Sequence, residues 1–161
     1  MMLLFLGERI NDPSMSHEKV ARWRRLWERH GWRASFCVPV SGGSLRRLRC
    51  LTPLDVGRMI FNVLPPDNKC GSWDRELAEL MAKKAATDLP KFAQCDGVIL
   101  LGRRVTDLFF PGAEFGHVGS IGSLPTLCMP HPSGRSRYWN DANAEKRTKN
   151  WISEFVKVIR S

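Results

Sequence analysis

The chain has no long apolar run. Its opening stretch, Met1-Met2-Leu3-Leu4-Phe5-Leu6, stops at Gly7-Glu8-Arg9 after six residues, too short for a secretory h-region or a membrane span. A soluble, cytoplasmic protein without membrane contact is expected. Paired cysteines are also missing: the five, at positions 37, 50, 70, 95 and 128, are odd in number and include no C-x-x-C. Neither a disulfide framework nor a zinc ribbon follows, and no metal site is expected. Widely spaced cysteines beside apolar neighbours read as small core residues in a reducing compartment. Acidic side chains are the scarcer charge, 16 against 25 Lys plus Arg, for a formal net charge of +9. That excess suits a polyanionic partner, and nucleic acid fits.

What is present is enough for one domain spanning 1–161. The 161 residues are 43% hydrophobic, sufficient for one core and too few for two comfortable ones. The opening run ends at a glycine, as in a strand buried on both faces of a parallel sheet. Ser16 can cap a helix in which Val20, Trp23, Leu26 and Trp27 recur at helical spacing until Gly31. The i, i+4 spacing of the two tryptophans assigns them to the core rather than to a base-stacking platform. Residues 36–40 suit a strand or buried loop, and 59–64 a strand stopped by Pro65-Pro66. Residues 74–86 read as a helix, 97–101 as a strand before a short helix from Arg103, and 124–129 as a fifth strand. The glycine-rich stretch 111–123 reads as a loop, and 142–159 as a last helix. Apolar strands alternating with helices predict a three-layer α/β/α domain with a largely parallel sheet of four to five strands.

In such sheets ligands bind beyond the carboxyl ends of the strands. Gly7-Glu8, Asn62, Gly102-Arg103 and His131 all fall at such ends. An asparagine in an apolar strand is costly unless its amide is paired. Ser41-Gly42-Gly43-Ser44 precedes a basic helix whose first amides can hold an anion. The richest segment is Pro130-His131-Pro132-Ser133-Gly134-Arg135-Ser136-Arg137. Its prolines fix φ on both sides of the imidazole. His131 is suited to stabilising a developing anion, Ser133 to holding phosphate, and Arg135 or Arg137 to entering a nucleic-acid groove. A basic surface turn with a capping histidine is the plainer reading.

Four of these segments, in order, resemble the uracil-DNA glycosylase superfamily. Leu6-Gly7-Glu8-Arg9-Ile10-Asn11-Asp12-Pro13 is similar to the first motif, which reads G-E-x-P-G in the heat-stable branch. Phe61-Asn62-Val63-Leu64-Pro65-Pro66 is similar to the strand carrying the base-reading asparagine. Val98-Ile99-Leu100-Leu101-Gly102-Arg103 resembles the strand-glycine-helix that follows, and His131-Pro132-Ser133-Gly134-Arg135-Ser136 the P-S loop that enters the minor groove. The resemblance implies a DNA glycosylase acting on uracil or another modified pyrimidine flipped from duplex or single-stranded DNA. Asn62 would read the base and Phe36 would stack on it, although a core role for Phe36 is equally simple. His131 would donate to the departing base, and Glu8, or else Asn11 or Asp12, would position water. Arg135 would fill the vacated stack, while Ser41, Gly42, Ser44, Arg103, Ser133 and Arg137 would meet the DNA backbone. A cofactor-free monomer is implied, and the iron-sulfur cysteines of the heat-stable branch have no counterparts.

The departures cluster in the first motif. Ile10 and Asn11 replace its proline and second glycine, and Arg9 stands where many branches place Asp or Asn. A catalytically silent DNA-binding member is therefore an alternative. A Rossmann-like enzyme of nucleotides or sugars is another, disfavoured because no G-x-G-x-x-G follows the first strand.

Overall fold

A computed structural model describes residues 1–37, 42–69, 71–92, 94–133 and 135–161, without the side chains of 35–37. Five strands form one sheet: β1 (Met2–Gly7), β2 (Gly57–Asn62), β3 (Gly97–Leu101), β4 (Val118–Ile121) and β5 (Leu124–Met129). Their order is β2-β1-β3-β5-β4. All neighbours are parallel except β4 with β5. Five α-helices surround it: α1 (His17–His30), α2 (Gly42–Leu51), α3 (Arg75–Asp88), α4 (Arg103–Phe109) and α5 (Ala144–Arg160).

Strand side chains alternate between two faces, and here both faces are covered. Leu4, Leu6, Val98, Leu100 and Cys128 pack on one side with Trp27 of α1, Leu77 and Met81 of α3 and Val105 of α4. Leu3, Phe5, Ile99, Leu101, Leu127 and Met129 pack on the other with Leu48 and Leu51 of α2 and Ile152, Phe155 and Val156 of α5. This double burial explains why the central strands are continuously apolar, and it gives the expected three-layer α/β/α arrangement. Ser16 caps α1 by accepting from the Lys19 amide. Trp27 is fully buried, and Trp23 lies half-buried against it, edge to face.

Four expectations change or are narrowed. The loop expected at 111–123 contains β4, whose V-G-S-I sequence buries only Ile121 and so carries little periodic signal. Cys50, expected in the core, is exposed, whereas Cys95 and Cys128 are buried. The segment 36–40, expected as a strand or a buried loop, begins in a 3-10 turn, Gly31–Cys37, and its remainder lies outside the described residues. Asn62 is the last residue of β2 rather than an interior one, because Val63 and Leu64 leave the ladder to bond the Gly7 and Glu8 carbonyls before the two prolines. Among the described residues, no helix is long and apolar enough to cross a membrane.

Candidate active site

The carboxyl ends of β1, β2, β3 and β5 converge on a cleft of about 290 Å³, near the lower end of small-molecule sites. From β1 onward come Gly7, Arg9 and Asn11; β2 supplies Ile60 and Asn62, and β3 supplies Leu101. The segment after β5 contributes His131, Ser133 and Arg135, and α2 contributes Ser44. The chain crosses from β1 to β2 in one direction and reaches β3 in the other, so the cleft lies at a topological switch point. Three wider hollows, at Arg147 and Trp151, at Arg29 and Arg33, and at Trp73 and Arg104, share no lining residue with the cleft.

Two glycines make room for the polar groups. Gly7 is paired in register with Asn62, and a Cβ on it would lie 2.9 Å from Asn62 Oδ1. Asn62 is 6% exposed, so it has little room to retreat. Gly102 has φ +91°, where side chains are strained, and a Cβ there would lie 3.2 Å from the His131 Cβ.

The histidine's tautomer follows from its contacts. The Ser133 amide donates to His131 Nδ1 at 3.1 Å, so the neutral ring carries its proton on Nε2. Burial pushes the imidazole below its ordinary pKa, while the negative charge of Glu8 partly opposes the shift. The resulting group is a neutral Nε2–H donor in the wall of the cleft.

The surrounding loop is fixed by residues that sequence reasoning missed. The Trp139 indole donates to the His131 carbonyl at 2.8 Å. Arg47 of α2 donates to the Pro132 carbonyl at 3.1 Å and lies 4.4 Å over the Trp139 ring. Tyr138 joins the same segment to α5 through the Thr148 hydroxyl. Nothing in the sequence separates Arg47 from Arg46 and Arg49. Ile60, also missed, was legible in principle, since it precedes Asn62 by two and shares its strand face.

The remaining candidates divide. Glu8 does not line the cleft; its carboxylate lies 3.7 Å from Arg104, which stacks on Trp73, yet its charge reaches His131. Asn11 lines the cleft and bridges to Asp67. The Asp12 carboxylate accepts from the Ser14 amide and hydroxyl, which hold its pKa low, and like Glu8 it lies outside the cleft lining. Arg103 is tied to Asp107 and lies over Phe115, outside the cleft. Arg137 is exposed at the start of the 3-10 turn Arg137–Asn140. Gly42 opens α2. Ser41 and Gly134, and the side chain of Phe36, lie outside the described residues.

Among the described residues, Arg9 is the cation with a buried donor that lacks a partner. Its side chain is 5% exposed, its Nη1 lies 3.4 Å from Asp67 Oδ2, and its Nη2 is buried with no hydrogen-bond partner among the described residues. Desolvation lowers its pKa, with Asp67 and Glu8 opposing.

The arrangement offers a carboxamide, a neutral N–H donor and a buried cation around one small cleft in a three-layer α/β/α protein. No family model matches the chain, and no curated protein matches it.

Proposed function

We propose that the protein is a DNA glycosylase that hydrolyses the N-glycosidic bond of uracil or another modified pyrimidine turned out of DNA. The observation that carries this reading is that Asn62, at the end of β2, and His131, in the segment after β5, wall one cleft with His131 in its Nε2–H form. The Asn62 carboxamide presents one donor face and one acceptor face, matching O4 and N3–H of uracil. As the bond from C1′ to N1 breaks, its electron pair moves into the base. The His131 Nε2–H then donates to O2, in the manner of an oxyanion hole. Water adds to C1′ and its proton passes to the departing base or to solvent; Glu8, outside the cleft lining but with its charge felt at His131, is the proposed source of the negative charge that offsets the sugar cation. Arg135, exposed at the rim of the cleft, suits insertion into the vacated stack, and Ser44 and Ser133 suit phosphate contacts.

The test is incubation with single- and double-stranded oligonucleotides containing uracil or 5-modified pyrimidines, followed by alkali to cleave abasic sites. Excision is expected, with His131→Gln slower by about 10²–10³-fold, the usual cost of removing one such donor. Folded protein that binds DNA yet yields no abasic site on any base overturns the enzymatic reading. It would favour a silent DNA-binding member instead, a reading supported by Arg9 in the place of the usual acid and by Glu8 facing Arg104.

A further inference from the structure

We infer that Arg9 is a specificity-determining residue of this cleft and receives an anionic oxygen brought by the substrate, either a carboxylate on the pyrimidine or the phosphate of the flipped nucleotide. The inference rests on the base-excision reading for the nature of the ring; the demand for an anion comes from Arg9 itself.

A buried guanidinium normally spends its donors on paired acceptors. Arg9 has one contact with Asp67, at 3.4 Å, long beside the 2.7–2.9 Å of a good charged pair. Asp67 does not depend on it, since its oxygens already accept from the Ser72 hydroxyl and the Asn68 amide, both at 2.7 Å, and from the Lys69 amide at 3.3 Å. The other acids near Arg9 also have partners of their own: Asp74 pairs with Arg24, and Glu8 faces Arg104. Arg9 is thus not needed to neutralise any of them.

Its position fits a ligand role. Arg9 lines both the cleft of Asn62 and His131 and a smaller hollow of about 40 Å³ bordered by Asp67 and Asp74; its Nη2 is covered in this conformation, so an anion in the cleft engages it by a shift of the guanidinium away from Asp67. Asp67 and Asp74 border the smaller hollow, and among the described residues no acidic side chain lines the cleft. Uracil itself offers only carbonyl oxygens, and Asn62 and His131 already match its two carbonyl edges. A carboxylate or phosphate would instead supply the planar or multidentate acceptor that a guanidinium fork prefers. A cation cannot act as the general base of the first motif, so Arg9 exchanges water activation at that position for charge recognition.

The experiment is titration calorimetry of the whole chain with two ligand pairs: uracil against uracil-5-carboxylate, and deoxyuridine against its 5′-monophosphate. In at least one pair the anion is expected to bind about tenfold or more tightly, the scale of a hydrogen bond to a charged group. The pair that responds identifies the source of the anion. Arg9→Gln should erase the preference, and Arg9→Lys should retain part of it, as a point charge without the fork. Equal affinity within both pairs, including no measurable binding of any ligand, overturns the inference. So does an Arg9→Gln protein that keeps the preference, which would then belong to another cation such as Arg135. If Arg9→Gln does not fold, the wild-type comparison and Arg9→Lys still decide. An Arg9-dependent anion preference in a protein that excises no base sinks only the glycosylase reading. Unchanged uracil excision by Arg9→Gln, with no anion preference, sinks only this inference.

Discussion

At the residue scale, the strongest constraint is the state of His131. Its pKa is depressed mainly by burial, so the folded protein favours the neutral ring more than the unfolded chain does. The sign follows: this contribution to stability is fully present above the ordinary imidazole value of about 6.5 and is lost as pH falls through the folded-state pKa. Protonation would also break the Ser133 N–H bond to Nδ1, because that nitrogen would become a donor. Glu8 is the one group whose charge opposes the shift. Glu8→Gln is therefore expected to move the His131 midpoint to still lower pH, as read by NMR titration of the ring. An unmoved midpoint would show that Glu8 lies too far away to act on the imidazole. Asn62 and His131 were legible from the sequence because the first is a polar residue within an apolar run and the second follows such a run between two prolines. The first motif was less legible, since Glu8, Asn11 and Asp12 are three neighbouring polar residues of similar promise. In the fold, cleft lining separates Asn11 from the two acids, and the Ser14 turn occupies the Asp12 carboxylate.

At the scale of elements, α2 and the histidine segment act as one unit. Arg47 both bonds the Pro132 carbonyl and stacks on Trp139, and Ser44, one turn earlier on α2, lines the cleft. Arg47→Ala should loosen residues 131–139 without unfolding the sheet. The expected result is faster amide exchange confined to that segment, with a stability loss of about 1–3 kcal/mol from the stacked cation and the hydrogen bond together. Exchange that rises across β1 and β3 as well would mean that Arg47 supports the core instead. Such a long-range tether has no local signature, and three arginines on one basic helix look alike in sequence. β4 escaped for a related reason. A four-residue edge strand with one buried side chain depends on its pairing with β5, which hydrophobic period alone does not reveal.

At the scale of the whole molecule, the net charge of +9 and the site at the strand ends make one joint prediction. Affinity for a short single-stranded oligonucleotide should fall linearly on a log–log plot against salt, with a slope near 0.7 per phosphate engaged. Arg135→Ala should reduce that slope by about one phosphate's worth, as measured by fluorescence anisotropy. A slope unaffected by salt would remove nucleic acid as the partner. The layered fold was readable because doubly buried strands leave continuous apolar runs. Strand order was not readable, because it depends on crossovers that leave no local trace. That order places β2 at the rim of the sheet, with β1 as its one strand neighbour. The two polar groups of the cleft thus stand on supports of unequal exchangeability. A one-residue slip of β2 would swing Asn62 to the opposite face while leaving the central β3 and β5, and His131 after them, in place. On the proposed base-excision reading, the base that is read can therefore drift while the group proposed to expel it stays in place.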